Sequence, residues 1–165
     1  MARTIIVGYG NIDRADDGVA YEVVNVLRQR LEQKMLIEGD TGLEELGSET
    51  DSIFLPQLMP EIMEVLIDYN QIIFVDAHVG TNTNDLNCLP VAPEYVSSTF
   101  THHMTPGSLL AFLKVLYNQE PAGHIVSLRG YDFDFKREVS PRTKILIPTA
   151  IEKILKLLKD DRIDI

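Results

Sequence analysis

The run Gln71-Ile72-Ile73-Phe74-Val75-Asp76 constrains the fold more than any other stretch of this chain. Its apolar residues are consecutive rather than alternating, so both faces of the strand have to be covered. A strand of that kind sits in the middle of a parallel sheet, with helices above and below it. Asp76 closes the run at its carboxyl end. A second β-branched run, Thr4 to Val7, ends in the same way: Gly8 and Gly10 let the chain turn sharply, and Asp16 and Asp17 follow where a helix begins. In open α/β sheets, sites form outside the carboxyl ends of the strands, which is where these acids fall.

The remaining pattern fills in around those two strands. Val19, Val23, Val26 and Leu27 recur at helical spacing and predict a helix from about Gly18 to Gln33. Lys34 to Ile37 reads as a short strand, and residues 43–55, which show no clean period, as loop with one helical turn. Leu58, Ile62, Val65 and Leu66 predict a helix over Pro60 to Tyr69. Leu89 to Val96 reads as an irregular edge strand, because Pro90 and Pro93 cannot donate to a ladder. Thr105 is placed to cap a helix with Pro106 at its first position and a stripe of Leu109, Leu110, Leu113 and Leu116 running to Tyr117. His124 to Arg129 is a further strand. Ser140-Pro141 repeats the cap-and-proline start for a last helix reaching about Lys159, with Ile147, Ile151, Ile154, Leu155 and Leu158 inward; Pro148 kinks it or delays its regular start. Strands alternating with helices indicate one α/β domain over residues 1–165, a mainly parallel sheet with helices on both faces, and a charged tail at 160–165 that frays.

Charge and cysteine content narrow the partners. The formal net charge of −10 argues against nucleic acid and anionic membrane surfaces, which demand a basic face, and suits a metal or a basic peptide. No apolar run is long enough to span a bilayer, and Met1-Ala2-Arg3 leads into a strand without a signal peptide's apolar region. The single cysteine, Cys88, can form no internal disulfide, so a reducing, cytoplasmic setting is expected.

Three residues fall at similar structural points: Asp17 after the first strand, Asp76 at the end of the central one, and His103 just before the Thr105 helix. Two carboxylates and an imidazole suit a divalent transition metal, with coordination positions left open for water or substrate. The plainer alternative is that Asp16 or Asp17 only caps the helix that follows. A dinucleotide fingerprint fails, because Asp13 stands where the third glycine belongs and the aspartates at 13, 16 and 17 would repel a pyrophosphate. His102, adjacent to His103, and His78, two residues past Asp76, remain alternative ligands, while His124 reads as structural. Nothing around Cys88 forms a thiol-nucleophile arrangement, and the chain has no Gly-x-Ser-x-Gly elbow.

At these residues the sequence resembles the hydrogenase maturation proteases, endopeptidases that process the large subunit of nickel–iron hydrogenases. The resemblance rests on Gly8-Tyr9-Gly10-Asn11 followed by Asp16-Asp17-Gly18, on Ile73-Phe74-Val75-Asp76-Ala77, on Thr101-His102-His103 ahead of Leu109-Leu110, and on the late Ser140-Pro141. It spans the chain in order from residue 4 to about 158. It implies a three-layer, phosphorylase/hydrolase-like sandwich. It also implies a metal set of Asp17, Asp76 and His103, and removal of a C-terminal peptide from the large-subunit precursor once nickel is in place. The nickel arrives with the substrate and serves as the recognition element, although other divalent metals can occupy such a site. No serine or cysteine nucleophile is required. A non-catalytic nickel-binding accessory protein would use the same ligands without cleavage. Where family members carry Asp-Gly-Gly-Thr-x-Gly after the second strand, this chain has the shorter Glu38-Gly39-Asp40-Thr41-Gly42. The resemblance places that turn near the substrate, which makes Glu38, Asp40, Thr41 and Gly42 candidate substrate contacts.

Overall fold

The computed structural model describes residues 2–80, 84–95 and 104–163, with side chains through residue 160. Among them the chain runs β1 (Thr4–Tyr9), α1 (Val19–Arg30), β2 (Thr50–Leu55), α2 (Met63–Leu66), β3 (Gln71–His78), β4 (Leu86–Pro90), α3 (Pro106–Tyr117), β5 (Ala122–Arg129), α4 (Pro141–Lys144) and α5 (Ile147–Ile163). The five strands form one sheet in the order β2-β1-β3-β5-β4. All neighbours are parallel except β4, which runs antiparallel along β5 with Cys88 opposite Val126. The continuously apolar run is therefore the central strand, as its lack of alternation demands.

Each sheet face has its own core. Ile6, Ile73, Val75, Val126 and Leu128 pack under α1 and α5. Ile5, Val7, Ile72 and Phe74 pack under α2 and α3. Helices on both sides of a mainly parallel sheet make the three-layer α/β sandwich. The α3 helix starts as its sequence dictates: Thr105 Oγ1 accepts from the Ser108 amide at 3.1 Å, Ser108 Oγ accepts from the Thr105 amide at 2.9 Å, and Pro106 takes the first position. Its buried stripe ends at Leu113, however; Leu116, expected to extend it, is 60% exposed. Pro148 falls at the second position of α5, so it delays the start of that helix. The helix then continues to Ile163, past the Lys159 end and into the tail expected to fray.

Two expectations fail for one reason. Lys34 to Ile37 forms no strand, and a strand forms instead at Thr50–Leu55, inside the stretch read as loop. The backbone of Leu36 pairs with a side chain rather than a ladder: its amide donates to Asn25 Oδ1 at 2.7 Å, and its carbonyl accepts from Asn25 Nδ2 at 3.1 Å and from the Tyr21 hydroxyl at 2.8 Å. Conversely β2 buries Thr50, Asp51 and Ser52, whose polarity hides the strand pattern. Tyr69 donates to Asp51 Oδ2 at 2.6 Å, and Arg3 pairs with the same oxygen at 3.0 Å. Arg28, only 4% exposed, donates to the Lys34 carbonyl at 2.6 Å, to the Ser52 carbonyl at 2.9 Å and to Glu45 at 2.6 Å.

Arg28 thus fastens both irregular segments to α1. Arg28→Ala should cost about 3 kcal/mol, because it strips several buried acceptors of their donor at once. Arg28→Lys should not rescue, lacking the planar fork that reaches three directions. Urea unfolding with an unchanged m-value checks both, and a loss below 1 kcal/mol would contradict this role.

Candidate active site

The turn after β1 is built around one close approach. Gly10 has φ 146°, and a Cβ there would lie 2.0 Å from the Asp17 carbonyl oxygen, so no side chain fits. That packing folds Ala15–Gly18 into a 3₁₀ turn that leads into α1. Ala15 is held in the left-handed region at φ 49°, and its amide donates to the Lys136 carbonyl at 2.7 Å. A non-glycine residue held there is local strain maintained by its surroundings.

The surroundings are supplied largely by Asp16. It is fully buried, and its carboxylate accepts the amides of Tyr131 (2.7 Å), Asp132 (2.9 Å) and Ser140 (2.6 Å) and the hydroxyls of Ser140 and Thr143 (both 2.8 Å). Burial alone would raise its pKa. The hydrogen bonds from Tyr131, Ser140 and Asp132 outweigh that and hold it below the usual carboxylate value. The capping alternative for the acidic pair is therefore corrected. Neither aspartate caps α1 through its side chain; Asp16 instead ties the 131–143 segment, with the start of α4, to the turn.

Asp17, half-buried beside it, is left for other work. Its Oδ2 accepts the Asn11 amide at 2.8 Å. Asp76 arrives from the neighbouring strand, one position beyond the last β1–β3 register pair, Gly8 with Val75. The Asp76 carboxylate accepts the Ala77 amide at 2.7 Å and the hydroxyl of Tyr9. Its pKa is pushed up to about 7: burial is the main cause, the two hydrogen bonds work against it, and the nearby charge of Asp17 adds to it. Burial and the adjacent Asp76 raise the Tyr9 phenol well above its usual range, so it remains a donor. The two proposed acidic ligands thus lie at the same carboxyl edge of the sheet, close enough for the charge of Asp17 to act on Asp76. Paired carboxylates offer the hard oxygen donors that a divalent cation takes.

His103 and His102 lie outside the described residues. Among the described residues no group of three or more His, Cys, Asp or Glu side chains is arranged to hold a metal ion. The other histidine near the edge, His78, has Nε2 2.8 Å from the Asn84 carbonyl, while its Nδ1 is buried without a hydrogen-bond partner. Cys88 is half-buried in β4, and burial raises its thiol pKa against the opposing pull of Lys153 and Lys156, which disfavours the thiolate.

Beside this edge lies a cleft of about 460 Å³ between the glycine turn, at Gly10 and Asn11, and the Gly39-Asp40-Thr41 turn. Asp40 and Thr41 line it, with Phe54 and Pro56. Gly42 does not; it points inward at φ 85°, where a Cβ would lie 2.8 Å from the Ser52 carbonyl oxygen. Glu38 is exposed and ion-paired with Arg137, whose Nε also donates to Asp13 Oδ1 at 2.9 Å. Arg137 thereby bridges the glycine turn and the 38–42 turn. Tyr9 and Arg137 were not singled out from the sequence, and Asp16 only as half of the acidic pair and a candidate helix cap. Only the late Ser140-Pro141 hinted at the Asp16 clasp.

Comparisons with known proteins agree with this architecture. No protein-family model matches the chain. A Methanocaldococcus jannaschii protein assigned to the hydrogenase maturation proteases is 30% identical over 159 residues, covering 94% of this chain and 96% of its own length. Among solved structures, the hydrogenase maturating endopeptidase HybD from E. coli superposes with a TM-score of 0.71 at 18% identity, over 96% of this chain and 93% of its own. The HybD maturation protease of Thermococcus kodakarensis gives 0.67 at 15% identity, over 94% and 98%. The fold is thus shared with these endopeptidases, and the end-to-end sequence relation shows the family. The chain belongs to the hydrogenase maturation proteases, a family of peptide-bond hydrolases.

Proposed function

We propose that this chain is the cytoplasmic endopeptidase that removes the C-terminal peptide from a nickel–iron hydrogenase large-subunit precursor after nickel insertion. The reading is supported by the nearness of Asp17 to Asp76 at the carboxyl edge, next to a cleft of about 460 Å³ walled by the glycine turn and the 39–41 turn. In this reading the substrate's nickel is the recognition element, held by Asp17, Asp76 and His103. The residues of this chain orient the incoming segment. Tyr9 and the Ala77 amide fix the Asp76 carboxylate, Asn11 fixes Asp17, and Asp40 and Thr41 border the path of the peptide. Membrane anchorage plays no part in the proposal; among the described residues no helix is long and apolar enough to cross a bilayer.

The test is incubation of the purified protein with nickel-loaded and nickel-free precursor. A shortened large subunit should appear only with the loaded form. Equal processing of both would remove nickel from recognition, and no cleavage of either would favour an accessory, non-catalytic role. His103→Ala should lower processing by at least 10–100-fold, the loss typical of even an indirect metal partner, while melting stays near wild type. His102→Ala should retain most activity. The reverse outcome would make His102 the ligand, and normal processing by both variants would point to His78.

A further inference from the structure

A second groove, about 1100 Å³, lies between the outer face of α1, the Met35–Glu38 stretch and the start of α5. Its walls are mainly apolar: Tyr21, Val26, Met35, Ile37, Ile147 and Pro148. The hydrogen bonds that Asn25 and Tyr21 make to Leu36 create this wall. They pin Leu36 inward at 5% exposure and leave its neighbours outward, Met35 at 49% and Ile37 at 66%. An apolar groove of this kind, rimmed by polar side chains, is a candidate docking surface.

We propose that this groove receives an extended apolar segment of the precursor that carries a basic residue, continuing the path from the cleft beside the glycine turn. The inference rests on the endopeptidase reading and deepens it. Three features identify the occupant. The first is continuity: Tyr21 lines the site cleft, this groove and the small hollow between them, whose walls include Ile12, Glu38 and Arg137. A segment seated in the cleft beside the glycine turn can therefore continue along Tyr21 into the groove. The second is charge. Glu22 borders both the hollow and the groove, and its Oε2 is buried without a hydrogen-bond partner. The other acids at the rim are engaged, Glu38 with Arg137 and Glu152 with Arg30 at 3.5 Å, while Lys144 lies at the rim by α5. A lysine or arginine among apolar neighbours satisfies Glu22. The third is the net charge of −10, which repels a second copy of this chain and attracts a basic segment.

The experiment uses the Met35→Glu/Ile37→Glu double variant and, separately, Glu22→Gln. These are surface or rim positions, and melting curves verify that the fold persists. Processing of nickel-loaded precursor should show KM raised about tenfold in the double variant, with kcat within about twofold. Glu22→Gln should raise KM less and weaken its salt dependence. Fluorescence anisotropy with a fluorescein-labelled peptide covering the precursor's C-terminal region reads the groove without cleavage; the double variant should bind it about tenfold more weakly. Loss of cleavage by the wild type alone would therefore overturn the functional reading and leave the groove measurable. Unchanged KM and unchanged peptide affinity would overturn the groove proposal. So would a wild-type dimer in sedimentation that the double variant converts to monomers, since a second copy would then occupy the groove.

Discussion

Asp16→Ala should destabilise the protein by about 4 kcal/mol, the largest loss expected from a single polar substitution among the described residues. The carboxylate is fully buried and accepts from three backbone amides and two hydroxyls. Removing it leaves all of those donors facing a cavity that was shaped for an anion, each with a desolvation penalty of about 1–3 kcal/mol that partial relaxation reduces. For a domain of this size the loss corresponds to a fall in Tm of about 8–16 °C. Asp16→Asn should recover little, because its amide group turns donors toward donors. The pH dependence follows from the sign of the shift. Asp16 has a folded pKa below the ordinary 3.8 of an aspartate, so its contribution is present above about pH 4 and is lost as the pH falls through the folded value. Wild type and variant should therefore differ most near neutrality and converge in acid. Denaturant titrations at pH 7 and pH 3 measure both ends, and a difference that grew on acidification would contradict the assignment.

Asp76→Asn should do the opposite to stability and far more to activity. Folding raises the pKa of this carboxyl from 3.8 to about 7. A raised carboxyl pKa means that the ionised form opposes folding: the penalty is absent below about pH 4, grows as the pH rises through the window up to about 7, and is complete above it. The metal-free Asn variant should therefore be about 2–4 kcal/mol more stable than metal-free wild type at pH 8, with the two nearly equal at pH 4. If, as proposed, Asp76 is a direct ligand of the recognition metal, its precursor processing should fall by more than about 100-fold, since even an indirect metal partner is worth about 10–100-fold. An Asp76→Asn protein that processes within tenfold of wild type would exclude this carboxylate from the site. The pairing of higher stability with lost function is what a strained, charge-crowded site predicts.

Local signals and long-range ones were unequally legible in the sequence. β1, β3 and α3 were readable because their patterns are decided by nearest neighbours: consecutive apolar residues, a glycine turn, and a Thr-Pro cap. The placement of Asp17 and Asp76 at one sheet edge was readable from topology, since parallel neighbours present their carboxyl ends together. β2 was hidden because its stabilising partners come from elsewhere: Arg3, Arg28 and Tyr69 make Asp51 and Ser52 tolerable inside a sheet. Lys34 to Ile37 misled for the complementary reason, as a helix side chain took the place of a ladder partner. The role of Asp16 was illegible because its five donors are more than a hundred residues away and include three backbone amides, which carry no side-chain signature.

That separation has a bearing on when the enzyme comes to life. The partners of Asp16 lie from 115 to 127 residues downstream. A chain still emerging from the ribosome can form β1 and present Asp17, but it has nothing with which to clamp the strained turn behind it. The clamp closes only once Thr143 and the helices that follow are available to dock, since contacts this distant in sequence form late in synthesis and pay the loop-closure entropy in full. A copy truncated before Thr143 is therefore expected to leave the turn that carries Asp17 unclamped. The clasped turn is thus expected only once the chain through α4 has been made, much as the proposed nickel requirement restricts cleavage to a finished substrate.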